Sequence, residues 1–523
     1  MCGLTLSIRV LSSPYHQASS PPSSDPIFTS LVNANSTRGP DSSNTYTHTV
    51  PLDSEHAIEV SFAASVLGLR GREVQGQPMV GARGVLGWNG QIFDGMDVGV
   101  NENDTKAIFE RLEAGEQVEH VLRGIEDSTP SDRFILTSTR SLAAREDGLG
   151  MRALKGGEGG QIRLRLVKAL FGGGVDWAHA LRMSNSLAAA GPWVTVSPIN
   201  AIHLPFQPSC PEIAHQSAQL EVDRFTENLL TALRRRTCNI PAPSPGLAIL
   251  FSGGLDCTFL TYLAHLCLPR HESIELVNVA FERSESSKGE KRHQPPETIP
   301  EAGFDVPDRK SGREALQELR TVCNDRDWRF IEINVPFSDH RQRVLDLMFP
   351  SSTEMDLSLA YPLYFASRGI GVLYGKKYCV SAKVFLSGLG ADEQLGGYAR
   401  HRHAFEHKGW QGLVDEIQLD LTRLPTRNLS RDDRIISAHA RDVRYPCLDL
   451  SFVDYLSSLP IWTKVDPGLG EGVGDKRLLR LAATKVGLVE TGRRVKRAMQ
   501  FGTRSSKMGS NSKRPKAGEA AVD

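Results

Sequence analysis

Two glycine- and acid-rich turns in the C-terminal half carry residues suited to handling a polyphosphate. The first, Ser252-Gly253-Gly254-Leu255-Asp256, follows an apolar run at 247–251. Gly253 and Gly254 permit a tight turn that aims backbone N–H groups at an anion, and a helix after the turn adds its positive end. Asp256 is then placed to hold Mg²⁺, which prefers oxygen ligands. The loop lacks the Gly-x-x-x-x-Gly-Lys-Ser/Thr spacing of nucleotide triphosphatases, which disfavours kinase or GTPase chemistry. The plainer alternative is a strand-to-helix turn with Asp256 as a cap. The second turn runs from Ser387-Gly388-Leu389-Gly390-Ala391-Asp392-Glu393 to Gly396-Gly397-Tyr398, after the short apolar run 384–386. Ligands gather at the carboxyl ends of parallel strands, so Asp256 and Asp392 could converge on one metal. A solvated helix start is the competing reading of Asp392-Glu393.

A third chemical candidate stands at the other end of the chain. Cys2 follows Met1. With Met1 removed, the new α-amine, of pKa about 7.7–8.0, can act as general base for the thiol. The other cysteines (210, 238, 257, 267, 323, 379 and 447) form no Cys-x-x-Cys pair and no cluster with histidines, so zinc is not expected and free thiols are. His401, His403 and His407 have a tempting spacing, but Arg402 and Lys408 beside them suggest a solvated face.

These candidates need a scaffold. Residues 247–251 read as a buried parallel strand, 257–267 as the following helix and 274–281 as a second strand, the rhythm of an open α/β sheet. A helix is expected at 221–236, with Phe225, Leu229, Leu230 and Leu233 on one side, and the alternation continues through 316–322, 330–335, 342–348, 357–368 and 384–386. The first half reads as short strands and turns: strands at 4–11, 58–69 and 85–93, a Ser/Pro-rich loop at 12–25 and a helix at 105–113. The glycine-rich runs at 156–160 and 172–174 support no assignment, the Pro-containing stretch 205–211 marks a domain boundary, and 282–300 reads as a mobile surface insertion.

At 523 residues two domains are expected. Lys+Arg and Asp+Glu both number 61, so bulk charge gives no reason to expect nucleic acid or a membrane surface as partner. No apolar run approaches the about 18 residues of a membrane span. The expected compartment is cytoplasmic, with Lys513-Arg514-Pro515-Lys516 a weak nuclear-import look-alike.

Taken together, the two turns resemble the asparagine synthetase family, whose motifs read Ser-Gly-Gly-x-Asp-Ser and Ser-Gly-Glu-Gly-x-Asp-Glu-x-x-x-Gly-Tyr. Ser430-Arg431-Asp432-Asp433-Arg434 and the stretch 438–449 resemble its Arg-x-Asp-Arg and Glu-x-Arg-x-Pro-Phe-Leu-Asp block, and Gly474-Asp475-Lys476 and Arg494-Val495-Lys496 its last lysine-bearing segments. Near the N-terminus, Arg38-Gly39-Pro40-Asp41, Trp88-Asn89-Gly90-Gln91 and Asn103-Asp104-Thr105 resemble its class II glutamine amidotransferase domain. With the runs 305–313 and 389–402, the chain resembles the subgroup of asparagine synthetase domain-containing proteins.

The resemblance implies an α+β N-terminal-nucleophile (αββα) amidotransferase domain at 1–206, atypical over part of 126–180. An α/β open-sheet ATP-pyrophosphatase domain, adenine nucleotide α-hydrolase-like, would follow at 217–506, with a disordered basic tail at 507–523. It implies glutamine hydrolysis at Cys2 through a glutamyl thioester. Asn89 and Gly90 would stabilise the oxyanion, and Arg70, Gln91 and Asp104 would bind glutamine. The released ammonia would pass inside the protein to an adenylate. ATP and its pyrophosphate would be held by Leu250, Ser252, Gly253, Gly254, Leu255, Asp256, Cys257, Ser387 and Gly388. Mg²⁺ would sit on Asp256 and Asp392, and Lys496 would neutralise the α-phosphate. The expected substrates are glutamine, ATP and aspartate, the products asparagine, AMP and pyrophosphate; homodimer formation is left open.

Four positions depart from the family pattern. Gln91 replaces a glutamate, Arg145 to Arg152 keeps only a trace of a Gly-Arg-Asp segment after the polar stretch 126–132, and Cys257 replaces a serine. Leu389 replaces the glutamate of the second motif, exchanging a group that accepts protons for an alkyl chain. Three readings follow: an asparagine synthase-like amidotransferase, an adenylating enzyme acting on a carboxylate without the aspartate amine, and a binding or scaffold homologue.

Overall fold

The computed structural model describes residues 3–11, 26–51, 57–94, 96–99, 101–116, 120–121, 127–128, 133–137, 142–144, 211–238, 240, 246–282, 301–336 and 340–508. The readings of Cys2, the 12–25 loop, the glycine-rich runs, the segment 145–152 and the boundary at 205–210 lie outside the described residues. So do 283–300 of the insertion and 509–523 of the tail. The chain divides into two compact units, 1–195 with 239–242 and 437–440, and 196–238 with 243–436 and 441–523.

In the first unit, β1 (Gly3–Leu11), β2 (Ser42–Pro51) and β3 (Ala57–Val66) form an antiparallel sheet in the order β1-β3-β2, with α1 (Pro26–Ser36) between β1 and β2 in the chain. Central β3 is paired on both edges, and Phe62, Ala63 and Ala64 on it are buried. The single strand expected at 85–93 is two: β4 (Met79–Val80) pairs with β5 (Val85–Asn89), Gly90-Gln91 breaks the run, and β6 (Ile92–Asp94) joins another sheet. The polar stretch 126–132 supplies β7 (Asp127–Ser128), paired with β6. β8 (Arg133–Thr137) and β9 (Leu142–Ala144) extend the β4-β5 sheet. Helix α2 (Asp104–Glu113) begins where the Asn103 side chain accepts from the Thr105 and Lys106 N–H groups, a side-chain N-cap.

The second unit is built on a seven-stranded sheet in the order β14-β13-β12-β11-β10-β15-β16. Strands β10 (Leu247–Leu250), β11 (Ile274–Phe281), β12 (Trp328–Val335), β15 (Val384–Leu386) and β16 (Asp442–Arg444) are parallel. A hairpin, β13 (Ile370–Leu373) and β14 (Lys376–Cys379), adds an antiparallel edge whose Lys376 and Lys377 are exposed, a guard against further strand pairing. The continuous apolar runs of β10 and β11 suit strands covered on both faces. From β10 the chain steps one way to β11 and β12, then returns to the other side of β10 for β15 and β16. That reversal is a switch point, and it opens a crevice at the carboxyl ends of β10 and β15.

Helix α3 (Pro211–Thr237) packs on α4 (Leu255–Cys267), which covers this sheet together with α5 (Pro307–Val322) and α6 (Glu354–Arg368). The pattern at 221–236 is the C-terminal part of α3. Phe225, 1% exposed, meets Phe452 at 5.6 Å and Phe259 of α4 at 6.4 Å between ring centroids. Lys507 belongs to a 3-10 turn (Ser505–Lys507), and Met508 packs against the core.

Removing the Phe225 ring leaves a void between α3, α4 and Phe452. Phe225→Ala is expected to cost the second unit about 3–5 kcal/mol, read as a lower urea midpoint with unchanged slope. A loss below about 1 kcal/mol would contradict this packing.

Candidate active site

A cleft of about 1000 Å³ opens at the switch point. Leu250, Ser252, Gly254, Leu255, Asp256 and Cys257 line one side, and Ser387, Gly388, Leu389 and Asp392 another. Lys496 closes on it from the C-terminal segment. Gly253 stands behind this surface at φ +75°, where a Cβ would overlap the Ser311 carbonyl. The carbonyls from Phe251 to Gly254 are all engaged by side-chain donors. Asn278 Nδ2 donates to Phe251 O at 2.8 Å, Ser311 Oγ to Ser252 O at 2.8 Å, Arg494 Nη1 to Gly253 O, and Thr258 Oγ1 to Gly254 O at 2.7 Å. The first N–H groups of α4 have no acceptor within the helix, as at any helix N-terminus. Cys257 is buried, its Sγ 3.3 Å from Gly254 O and 3.6 Å from Ser252 Oγ, and burial pushes its thiol up.

The two aspartates do converge, on a lysine. The Lys476 ammonium lies 2.7 and 2.8 Å from the two oxygens of Asp256 and 2.7 Å from Asp392 Oδ1. The last contact is an ion pair without hydrogen-bond alignment. Lys496 Nζ takes Asp392 Oδ2. Burial alone would raise the Asp392 pKa, but Lys476 and Lys496 override it and hold the group well below the ordinary range. Burial works against the Lys476 charge too, and Asp256 and Asp392 together raise its pKa. Gly388 and Gly397 make room for this: a Cβ on Gly388 would come within 2.9 Å of Asp256 Cβ, and one on Gly397 would overlap Asp392 Oδ1.

Lys476 was quoted in the sequence only as part of a lysine-bearing segment, with no role. It is 2% exposed and caps helix α7 (Arg477–Lys485) at φ 51°, a left-handed conformation that costs a lysine on the order of 1 kcal/mol. Its N–H donates to Leu395 O at 3.0 Å. Beside it, Arg480 binds Asp475 Oδ2 at 2.5 Å and the carbonyls of Gly492 and Arg494 at 2.9 Å, tying the Lys476 segment to the one that carries Lys496.

Among the described residues, no group of three or more His, Cys, Asp or Glu is arranged to hold a metal ion. Asp256 and Asp392 nonetheless fit Mg²⁺ as a partial donor set, because one ammonium already reaches both carboxylates and so stands in for a shared cation. Mg²⁺ characteristically takes one or two carboxylates and completes its shell with phosphate oxygens and water.

Asp308, at the start of α5, was missed because the stretch 305–313 offers no phosphate-loop signal. Its backbone carbonyl accepts from Asn278 Nδ2 at 2.9 Å, which is in turn held by Arg309 Nε on Asn278 Oδ1 at 2.7 Å. The Asp308 carboxyl lines the cleft, is 4% exposed, and leaves Oδ2 without a hydrogen-bond partner. Burial pushes it up to about 7, against the pull of Arg497 and Lys496.

His401 corrects the expectation of a solvated face. It is 1% exposed; Nδ1 accepts from the Tyr398 N–H at 3.3 Å, and Nε2 meets Asp420 Oδ2 at 2.8 Å. His403 and His407 are exposed. The Tyr398 ring lies under Arg400 at 4.0 Å and within 5.4 Å of Lys496 Nζ, while its hydroxyl donates to Glu393 at 2.6 Å. Leu389 is half-buried in the cleft wall and packs against the apolar core.

In the first unit, Arg70 and Asp104, expected at opposite ends of a glutamine, are joined to each other at 2.6 Å and buried. Asp104 Oδ2 also accepts from the Ile92 N–H at 3.2 Å, and Arg70 donates to the Ile92 and Val98 carbonyls. Asn89 and Gln91 are buried on either side of Gly90, whose carbonyl accepts from Trp88 Nε1 at 3.0 Å.

A parallel sheet with a glycine-rich loop and acidic side chains at its switch point defines the ATP-pyrophosphatase class of α/β domain. The chain belongs to the asparagine synthase family, whose model matches residues 243–413 and 404–519. It is 32% identical to human asparagine synthetase domain-containing protein 1, over 90% of this chain and 91% of that protein. It is 29% identical to the asparagine synthetase domain-containing protein YML096W of Saccharomyces cerevisiae, over 92% of this chain and 89% of that one. Over 33% of this chain and 28% of the relative, it is 27% identical to Escherichia coli asparagine synthetase B (glutamine-hydrolyzing). Family membership supports ATP as a ligand of the cleft. No described helix is long and apolar enough to cross a membrane.

Asp308 makes the fold sensitive to pH in a defined direction. A carboxyl whose pKa is higher in the folded than in the unfolded chain binds more protons when folded. Stability is therefore lost as pH rises, here from about 4 to 7. Asp308→Asn is expected to be more stable than the parent above pH 7, by on the order of a few kcal/mol, with the gap shrinking toward pH 4. Thermal unfolding across that range checks this; a gap independent of pH would contradict it.

Proposed function

We propose that the second unit adenylates a carboxylic acid with ATP, and that the first hydrolyses glutamine to supply the ammonia that displaces AMP. The observation that carries this reading is the convergence of Asp256, Asp392, Lys476 and Lys496 on the cleft beside the Ser252 loop. The triphosphate lies along Ser252, Gly253, Gly254, Leu255 and Cys257, whose amides and helix end favour negative charge. The base occupies the apolar side of the cleft near Val279, Met355 and Leu363. Leu250, Ser387 and Gly388 border the nucleoside. Lys496, the more exposed of the two lysines, moves from Asp392 to the α-phosphate as charge builds on it. Mg²⁺ held by Asp256 and Asp392 would neutralise the departing pyrophosphate.

In the first unit, Cys2 attacks the glutamine amide after its own α-amine takes the thiol proton. Asn89 and the Gly90 N–H hold the oxyanion. Arg70 and Asp104 form a pair complementary to an amino-acid zwitterion, so bound glutamine exchanges that ion pair for two of its own, with Gln91 beside its amine. The corresponding domains are 1–206 and 217–506, with 507–523 a basic tail.

Aspartate is the acid the family name favours. Leu389 supports a second reading, an acid without an α-amine, because its side chain lies on an apolar wall of the cleft and offers an ammonium no partner.

Pyrophosphate release by the full-length protein with a mature N-terminus, across aspartate and acids lacking the amine, tests both. Acid-dependent release is expected, falling about 10²–10³-fold in Lys496→Met. Cys2→Ala is expected to lose glutamine-dependent but keep ammonia-dependent product formation. Strict aspartate dependence would sink the second reading; no release with any acid would sink both.

A further inference from the structure

Each carboxylate oxygen of Asp256 and Asp392 lies against a lysine. Lys476 takes both oxygens of Asp256 and Oδ1 of Asp392, and Lys496 takes Oδ2 of Asp392. Two negative and two positive groups make a balanced set. The two lysines are not equally free. Lys476 is buried, and its backbone is fixed at a helix N-cap by the bond to Leu395 O, whereas the Lys496 side chain is 25% exposed at the cleft. The donor set is also too small to complete a coordination shell, since among the described residues no third His, Cys, Asp or Glu joins the pair in a metal-holding group.

A bare divalent cation approaching this pair meets an ammonium already at its centre, and both like-charge repulsion and a short ligand count oppose it. A polyphosphate changes both conditions at once. Its oxygens give the ammonium groups new acceptors and supply the missing ligands. We propose that Lys476 is the resident counter-cation of Asp256 and Asp392, and that it makes divalent-cation binding there conditional on a nucleotide polyphosphate. The residue thereby keeps the carboxylates together and prevents an idle metal from occupying the site. This rests on the ATP-cleaving reading above, and it assigns Lys476 a positioning role distinct from that of Lys496.

The test is Mn²⁺ binding to the metal-free, full-length protein, read by electron paramagnetic resonance with and without α,β-methylene ATP, which resists cleavage. Sites elsewhere are removed by subtracting the signal of Asp392→Asn. The wild type is expected to take up Mn²⁺ at this pair only with the analogue. Lys476→Met is expected to bind it without nucleotide, at least about tenfold more tightly than the wild type, and Lys476→Arg to restore the nucleotide requirement. Tight, Asp392-dependent binding by the nucleotide-free wild type would overturn the proposal, and this arm stands even if Lys476→Met does not fold. A folded Lys476→Met with no gain in nucleotide-free binding would also overturn it. Pyrophosphate release separates the two levels: if it persists while either of those results is obtained, the counter-cation role alone fails. If no Asp392-dependent Mn²⁺ signal appears even with the analogue and no pyrophosphate is released, the ATP-cleaving reading fails with it.

Discussion

Two carboxylates and two ammonium groups, brought from four separate stretches of chain, meet at the cleft, with Asp392 and Lys476 buried and Asp256 and Lys496 partly exposed. For buried Lys476 and Asp392 a lone charge would face a desolvation penalty of several kcal/mol, which the opposite charges beside them offset. Asp256 comes from the helix after β10, Asp392 from the turn after β15, and Lys476 and Lys496 from the last segments of the second unit. The strand order makes the meeting possible. Because β10 and β15 are neighbours although more than a hundred residues separate them, the two turns that follow them open toward the same crevice.

Much of the surrounding polar structure serves that meeting by removing freedom from the backbone. Arg480 spans Asp475, Gly492 and Arg494, so the segments bearing the two lysines move as one piece. Arg494 continues the chain of contacts to the Gly253 carbonyl, and Ser311 holds the carbonyl before it. Buried Asn278 joins Phe251 at the strand end to Asp308 at the start of α5, and Arg309 holds Asn278 from the other side. With the loop carbonyls occupied by these donors, the first N–H groups of α4 remain to suit an anion. Asp308 is the exception in this network: a buried acid with an unpartnered oxygen, kept in a cleft otherwise rich in cationic groups.

The sequence made the parallel core legible because its signals are local. Continuous apolar runs at 247–251 and 274–281 can hardly be other than covered strands once glycine turns and helical periods flank them, and the structure differs there by a residue or so. The two turns that line the cleft were legible for the same reason, as glycines and acids next to strand ends. What could not be read were partnerships across distance. Nothing in the spacing of Gly474-Asp475-Lys476 says that the lysine reaches Asp256, some 220 residues away, rather than solvent. His401 looked solvated from its neighbours Arg402 and Lys408, yet the helix Ala399–Leu424 turns it inward toward Asp420. The break of 85–93 into two strands follows from Gly90-Gln91, which the apolar pattern alone overrode.

The same distinction between shared and solitary constraints bears on which acid enters the cleft. Replacing any member of the charged quartet leaves the others unbalanced in a low-dielectric site, so this end of the cleft resists piecemeal change. Leu389 answers to a different constraint. It lies on the same turn as Asp392, only three residues away, but its side chain packs on the apolar cluster and takes no part in the ion pairs. A leucine there is therefore compatible with an intact ATP-binding end, because the turn is held by Gly390, Glu393 and Tyr398 through bonds that do not involve residue 389's side chain. On the proposed reading, nucleotide chemistry and acid selection are mechanically separable within one short turn, because the Leu389 side chain takes no part in the ion pairs at Asp392.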